Sequence, residues 1–283
     1  MNGCLPTVPF RTLVGAVRDA GFDSLSLWPN VWRHAQRREG MTLAGMRALL
    51  DDHGLRVTDL DGCRDWVPPD DPDAALRSPI SRRIPRAEYF EVAGALGATT
   101  IVAIPVSTQP LDRHREADGL AALCVGAASH GLRVALEYVG WEMVHDLPTA
   151  RALISAAPVP AGLVVDIGHH VRGGSSLADL DELEPADVYT VQLCDGPLAP
   201  PADLVDEATF GRQAPGRGEF PVAEFVSRLE RRGVRCSVGA EIYSPRHERM
   251  EPAAVVAGMF RLTAPFTDEA TTPGGRPPRV SAS

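Results

Sequence analysis

Four residues with side-chain oxygens, Glu137, Asp166, Gln192 and Glu241, lie at the ends of apolar runs that resemble β-strands: LRVALE, AGLVVD, VYTVQLCD and CSVGAE. A carboxylate that closes a buried strand is costly unless a positive charge meets it. Three carboxylates and an amide oxygen suit one hard divalent cation, Mn²⁺, Mg²⁺ or Co²⁺, better than structural zinc, which prefers Cys and His. The four residues therefore predict a metal-dependent enzyme. Any one of them alone is equally well explained as a polar strand end bonded to a loop.

The elements that must position these residues alternate between strand and helix along nearly the whole chain. Strands are predicted at 2–7, 23–28, 55–60, 99–105, 132–138, 161–167, 187–193 and 235–242. Helices are predicted at 10–20, 41–53, 81–96, 113–130, 147–156, 177–183, 221–232 and 251–263, several of them ending on glycine. Alternation with short connections favours a parallel sheet, and eight such units match a single (β/α)8 TIM barrel of the α/β class over residues 1–263.

A doubly wound open sheet is the competing fold, but no glycine-rich nucleotide-binding motif opens a helix here. Residues 264–283 are rich in Pro, Gly, Ser and Thr and are predicted to form a flexible tail. The Pro- and Gly-rich loop at 196–219 suits a lid or rim segment. In a barrel, the four oxygen-bearing residues would meet at one mouth.

Composition excludes several classes of function. The chain has no lysine, which excludes Schiff-base aldolases, pyridoxal phosphate enzymes and P-loop nucleotidases. A net charge of −9 argues against a nucleic-acid surface, and no apolar run is long enough to span a membrane. Five scattered cysteines without a CxxC pair favour a reduced, cytoplasmic protein. We expect a small-molecule substrate and allow for a homo-oligomer.

The runs VALEYVGW, GLVVDIGHHVRGG, VQLCDGP, RQAPGRGEF and VGAEIYS resemble the xylose-isomerase-like barrel superfamily over about residues 5–262. This group includes sugar-phosphate isomerases and epimerases, inosose dehydratases and 3-dehydroshikimate dehydratases. The resemblance implies that Glu137, Asp166, Gln192 and Glu241 bind one divalent metal. Gln at the third position is similar to the dehydroshikimate dehydratase branch, where epimerases more often have His. The family often has PGEG where this chain has Arg217 in PGRG, which predicts a different substrate contact.

The resemblance also suggests residues that face the substrate. His169, in the DxxH motif, is expected to donate to an oxyanion or move a proton, although a loop histidine capping the rim is the alternative. Arg172 and Arg212 are candidate substrate anchors, because a guanidinium binds carboxylate or phosphate through two hydrogen bonds.

Three further residues lie at predicted strand ends or just beyond them. Trp28 and Trp141 could form an apolar wall over a sugar-like substrate, with rim packing equally expected, and Asp61 could accept hydrogen bonds from substrate hydroxyls. The charge-dense run at 32–40 is interpreted as a rim loop or, more simply, a solvated face.

We expect an isomerase or epimerase acting on a sugar, polyol or cyclic hydroxy-ketone through a metal-stabilised enediolate, with Glu137 and Glu241 exchanging the proton and His169 assisting. A dehydratase, which shares the first step, is the alternative. A metal-dependent endonuclease and a non-catalytic binding barrel are less favoured, the former because of the acidic charge and the eight histidines.

Overall fold

The fold is built on one parallel sheet. The computed structural model describes residues 5, 7–66, 84–105 and 112–267. Its seven strands are hydrogen-bonded in chain order, each parallel to the next. They are β1 (Ser24–Leu27), β2 (Arg56–Cys63), β3 (Thr100–Ala103), β4 (Arg133–Glu137), β5 (Gly162–Asp166), β6 (Val188–Leu193) and β7 (Ser237–Ala240). Each overlaps a predicted strand. The predicted first strand at 2–7 falls largely outside the described residues.

Helices connect the strands and cover the outside of the sheet. They are α1 (Phe10–Ala20), α2 (Pro29–Glu39), α3 (Leu43–Asp52), α4 (Arg86–Leu96), α5 (Arg113–Ala128), α6 (Leu147–Ala156), α7 (Ile167–Arg172), α8 (Leu204–Asp206), α9 (Val222–Arg232) and α10 (Pro252–Thr263). Their apolar faces form one large buried core with the outward-facing strand residues. The predicted glycine stops are confirmed: Gly21, Gly97 and Gly233 follow α1, α4 and α9 in the left-handed conformation, with φ of 103°, 73° and 84°.

Contacts between the first and last described strands show that the sheet curls round on itself. The rings of Trp28, after β1, and Tyr243, after β7, stack with centroids 6.2 Å apart. Helix α1 packs against α10, and the rings of Phe22 and Phe260 meet edge to face at 5.1 Å. Across the interior, Gln192 Nε2 of β6 donates to Asp61 Oδ2 of β2 over 3.3 Å. The strand ends of β2 and β4 to β7 therefore surround a common space.

The structure differs from the sequence prediction in its connecting segments. The charge-dense run at 32–40 is mostly helix α2, whose Trp32 is fully buried. A short helix, α7, begins directly after Asp166, and the helix expected at 177–183 is a 3-10 helix at Leu177–Glu182. The 196–219 loop contains α8 and a π turn at Glu207–Gly211. The predicted flexible tail at 264–283 is wrong at its start, because Ala264–Phe266 form a 3-10 helix and Phe266 packs against the core, and 268–283 lie outside the described residues.

None of the helices in the described part of the chain combines the length and apolar character needed to cross a membrane.

Candidate metal centre and active site

The four oxygen-bearing residues lie at the same end of the sheet and are buried. Glu137 and Asp166 end β4 and β5, Gln192 is the penultimate residue of β6, and Glu241 follows β7. Asp166 is in register with Gln192 in the parallel ladder. The exposed fractions of the four residues, in chain order, are 2%, 1%, 1% and 6%. Because the strands are parallel, their carboxyl ends bring these side chains to one mouth.

Two of these residues have an oxygen without a partner. Oε1 of Glu137 and Oε1 of Gln192 are buried and accept no hydrogen bond within the described ranges. The Gln192 amide is oriented by Asp61, because a carboxylate accepts and the Nε2 group must therefore face it. Buried polar atoms without partners are rare in folded proteins and indicate a missing ligand such as an ion. The two orphaned oxygens fit a divalent metal.

A compact group of ligand atoms surrounds this position. Glu137, His169 and Glu241 each offer one atom within 4.8 Å of the others. Asp166 contributes its carboxylate next to them, but its oxygens already accept hydrogen bonds from Arg212 and from a backbone N–H. Each carboxylate oxygen has two lone pairs, so these bonds leave capacity for a metal. The donor set combines carboxylates, an amide oxygen and an imidazole.

Asp166 also explains how His169 is positioned. Its carboxylate caps helix α7 by accepting the His169 backbone N–H at Oδ1 over 2.7 Å. Aspartate is a preferred N-cap because it satisfies an otherwise unbonded N–H of the first turn. The DxxH spacing therefore turns the imidazole toward the mouth, where Nε2 lies 3.8 Å from Glu137 Oε1. Burial lowers the pKa of His169 to about 3, so its imidazole is neutral at physiological pH.

Arg212 is the main counter-charge of the site. It donates from Nη1 to Glu241 Oε2 over 2.8 Å and from Nη2 to Asp166 Oδ1 over 3.2 Å. Its Nη2 also lies 3.1 Å from His169 Nε2. Burial by itself lowers the pKa of Arg212, but the neighbouring negative charges, Asp166 first, outweigh it and raise that pKa well above its ordinary value. This guanidinium remains charged and joins three of the candidate residues.

Arg212 alone does not balance the carboxylates that face it. Burial, and then the charge of Asp61, raises the pKa of Glu137 well above its ordinary value. Burial is also the main cause of the raised pKa of Glu241, opposed by Arg212. Asp61 itself is 2% exposed. A divalent cation bound among these buried acids would relieve their mutual repulsion.

The loop that carries Arg212 is organised by Asp195. This buried carboxylate accepts backbone N–H groups of Gly196, Gly216 and Phe220 at 2.8 to 2.9 Å. A Cβ on Gly218 would lie 2.4 Å from Asp195 Oδ1, which explains glycine at that position. The PGxG segment is therefore folded around Asp195. The side chain of Arg217, within that segment, is exposed.

Arg172, predicted to anchor substrate, is bonded to the rim loop instead. Its Nε and Nη2 donate to the Glu207 carboxylate, each over 2.5 Å, and Nη2 donates to the Pro197 carbonyl over 2.6 Å. The guanidinium also lies over the Phe220 ring at 4.9 Å. These bonds hold the rim segment, and substrate binding by Arg172 stays a prediction that requires breaking them.

The two candidate tryptophans have different environments. Trp141 is 36% exposed, and its ring meets His169 edge to face at 5.0 Å, so it lies beside the candidate centre. Trp28 is half-buried against Tyr243 at the seam between β1 and β7, and its Nε1 has no acceptor in the described segments. Trp141 therefore forms a wall next to the His169 imidazole. Trp28 packs at the rim and keeps its Nε1–H available as a hydrogen-bond donor.

Sequence reasoning missed Arg64, which directly follows β2. Its side chain is 15% exposed, and Nη1 lies 4.0 Å from Glu142 Oε1. Burial lowers the pKa of Arg64, opposed by negative charges that include Asp61 and Glu137. Arg64 is thus a second cation of the mouth. Its place three residues after Asp61, at a strand end, was the available signal.

Comparison with known proteins gives the family. The sequence model of the family described as xylose isomerase-like TIM barrel matches residues 14–262. The chain belongs to this family, and the prediction of a TIM barrel is confirmed. The crystal structure of the IolI protein, which contains a zinc atom, superposes with a TM-score of 0.81 at 18% identity and covers 94% of this chain and 96% of that one.

Two curated relatives are enzymes of different classes. A 3-dehydroshikimate dehydratase of Pseudomonas aeruginosa is 26% identical over 242 residues, which are 81% of this chain and 35% of that protein. An inosose isomerase of Halalkalibacterium halodurans is 27% identical over 169 residues, 57% of this chain and 59% of that protein. The chain thus spans about a third and about three fifths of these relatives. Their similarity supports an enzyme and leaves isomerase and lyase both open.

Proposed function

We propose that the protein is a divalent-metal-dependent enzyme that removes a proton next to the carbonyl of a sugar-like or cyclic hydroxy-ketone and returns it as an isomerase or epimerase. The observation that carries the proposal is the pair of orphaned buried oxygens, on Glu137 and Gln192, within a group of buried acids. Glu137, Asp166, Gln192 and Glu241 would hold one divalent ion (Mn²⁺, Mg²⁺ or Co²⁺), with His169 adjacent. With a metal held there, the substrate carbonyl would be polarised and the neighbouring proton would be lost more easily.

The protein's own residues supply the proton transfer. Glu137 ends β4 and Glu241 follows β7, and their buried carboxylates meet at the candidate centre, where one would take the proton and the other return it. His169 is neutral and lies between Glu137 and Arg212, so it can exchange a hydrogen bond with a substrate hydroxyl. Arg212 and Trp141 would orient the substrate and exclude water.

Dehydration is the second candidate. The dehydratase relative aligns with 81% of this chain, against 57% for the isomerase relative. Both reactions begin with removal of the same proton. They differ in whether the proton is returned to carbon or is passed to a β-hydroxyl that leaves as water, with His169 placed to hydrogen-bond to the leaving oxygen.

The test is proton exchange in deuterium oxide, using Mn²⁺-loaded protein with ketoses, inososes and 3-dehydroshikimate. Deuterium incorporation without a new ultraviolet absorbance supports isomerisation or epimerisation, and a conjugated product supports dehydration. Glu241→Gln should lower the exchange rate about 10²- to 10⁴-fold, the usual contribution of an acid–base group. Glu184→Gln, an exposed glutamate outside the mouth, serves as the matched control. Undiminished exchange in Glu241→Gln would refute the two-glutamate mechanism.

A further inference from the structure

Arg64 is a cation at the mouth whose N–H groups make no hydrogen bond within residues 5, 7–66, 84–105 and 112–267. It is the first residue after β2, on the side of the sheet where the candidate metal ligands lie, and its side chain is only 15% exposed. The charges of Asp61 and Glu137 act on it, which places it in the same electrostatic environment as the acid cluster. Arg64 therefore borders the space that a substrate would occupy.

The guanidinium has five N–H donors and makes no hydrogen bond to any residue in the described parts of the chain; its one ion-pair contact there is with Glu142 at 4.0 Å. Other buried or half-buried arginines differ. Arg212 bonds two carboxylates, and Arg172 bonds Glu207 through two nitrogens. Withdrawing a charged group from water without hydrogen bonds costs free energy. Arg64 is therefore positioned to donate hydrogen bonds to a bound ligand that carries an acceptor.

The acceptor best matched to this group is a carboxylate. A planar guanidinium binds a carboxylate through two parallel hydrogen bonds, whereas a neutral hydroxyl leaves its charge uncompensated. A phosphate dianion fits less well, because one guanidinium would face it beside the acid cluster and Arg172 is already bonded to Glu207. We infer that Arg64 is a specificity-determining residue that binds a carboxylate on the substrate, so that the enzyme acts on acidic hydroxy-ketones. This substrate class rests on the proposed function.

The experiment measures binding rather than turnover. Mn²⁺-loaded protein is titrated calorimetrically with shikimate, a cyclic polyhydroxy acid, and with methyl shikimate, the uncharged ester on the same ring. Wild-type protein should bind the acid at least tenfold more tightly than the ester. Arg64→Gln should abolish that ratio, and Arg64→Lys, which keeps the charge without the planar fork, should retain part of it. Arg246→Gln, an exposed arginine after β7, should leave it unchanged.

If the ratio of acid affinity to ester affinity is unchanged in Arg64→Gln, the inference is overturned. It is also overturned if Arg246→Gln lowers that ratio as much as Arg64→Gln does. Tighter binding of a sugar phosphate than of shikimate, dependent on Arg64, overturns the assignment to a carboxylate. The proposed function fails separately: deuterium exchange absent with every ketone refutes it without affecting the binding ratio. Exchange with 3-dehydroshikimate, which carries a carboxylate, that is equally fast in Arg64→Gln and wild type refutes the role of Arg64 alone. Thermal unfolding of both Arg64 variants confirms that they are folded.

Discussion

The binding of a metal at the strand ends should appear as a gain in stability that depends on Gln192. We expect protein stripped with a chelator to unfold at a higher temperature once Mn²⁺ is added, because the ion binds the folded acid cluster. Gln192→Ala removes one of the two orphaned oxygens and should reduce this gain. The measurement is the metal-induced rise in Tm, taken within each variant, so that any effect of the substitution on the stripped protein cancels.

The magnitude follows from the size of the chain. Metal at a hundredfold excess over Kd stabilises the folded state by about 2.7 kcal/mol. With an unfolding entropy of about 2.1 cal/mol/K per residue, 283 residues convert this to a rise of about 5 °C. If loss of the Gln192 oxygen weakens affinity about a hundredfold, the same metal concentration leaves about 0.4 kcal/mol, a rise below about 1 °C.

The assay is differential scanning calorimetry at fixed metal concentration, repeated with Mg²⁺ and Co²⁺. Gln36→Ala, an exposed glutamine on α2, is the control and should keep the full rise. An equal rise in Gln192→Ala and wild type would refute the assignment of Gln192 as a ligand. No rise with any of the three ions would refute the metal centre itself.

Three more predictions concern the supporting residues. Arg212→Gln should destabilise the metal-free protein by about 3 to 5 kcal/mol, because it leaves buried carboxylates unpaired, and should enlarge the metal-induced rise in Tm; a smaller rise would contradict the account. Asp195→Asn should cost about 2 to 4 kcal/mol in urea denaturation, since three backbone N–H groups lose a charged acceptor, and a cost below about 1 kcal/mol would contradict it. Glu88→Gln should cost about 1 kcal/mol at pH 7, where Glu91→Gln on the same helix changes little. Hydrogen bonding to Arg33 lowers the pKa of Glu88 below its ordinary value of 4.5. The stability that the Glu88 carboxylate contributes is therefore present above pH 4.5 and should disappear as the pH falls further. A stability difference between Glu88→Gln and Glu91→Gln that persists unchanged in acid would contradict this pH dependence.

Much of the fold could be predicted because each strand is a short apolar run and several helices end on glycine. The five glycines expected to end helices, Gly21, Gly54, Gly97, Gly131 and Gly233, all have positive φ. Helix α2 was missed because its sequence is dominated by charged residues and its burial depends on a few positions such as Trp32. The many charged residues hid the helical pattern in the sequence, because this helix is stabilised by tertiary packing.

The candidate site could be predicted where it depends on strand register alone. Residues at the carboxyl ends of parallel strands must meet, so the positions of Glu137, Asp166, Gln192 and Glu241 followed from the alternation of elements. Which arginines face the candidate site could not be predicted in this way, because their side chains are long and their partners are distant in sequence. Arg212 points into the acid cluster and Arg172 toward Glu207, and both lie on connecting segments whose paths the sequence does not specify.

The stacked rings of Trp28 and Tyr243 have a consequence for the order of folding. Every neighbouring pair of strands from β1 to β7 is joined by a local connection, but this aromatic contact and the packing of α1 on α10 close a loop of 215 residues, from position 28 to position 243. Closing such a loop costs chain entropy on the order of 5 kcal/mol, about 2 kcal/mol more than closing a strand–helix–strand unit of about 30 residues. We therefore expect the seam to form last and to open first. Because the backbone N–H of Glu241 donates to Leu193 of β6, the four candidate ligands are brought together by the pairing of β4 to β7, and we expect closure of the seam to add Asp61 of β2 to them.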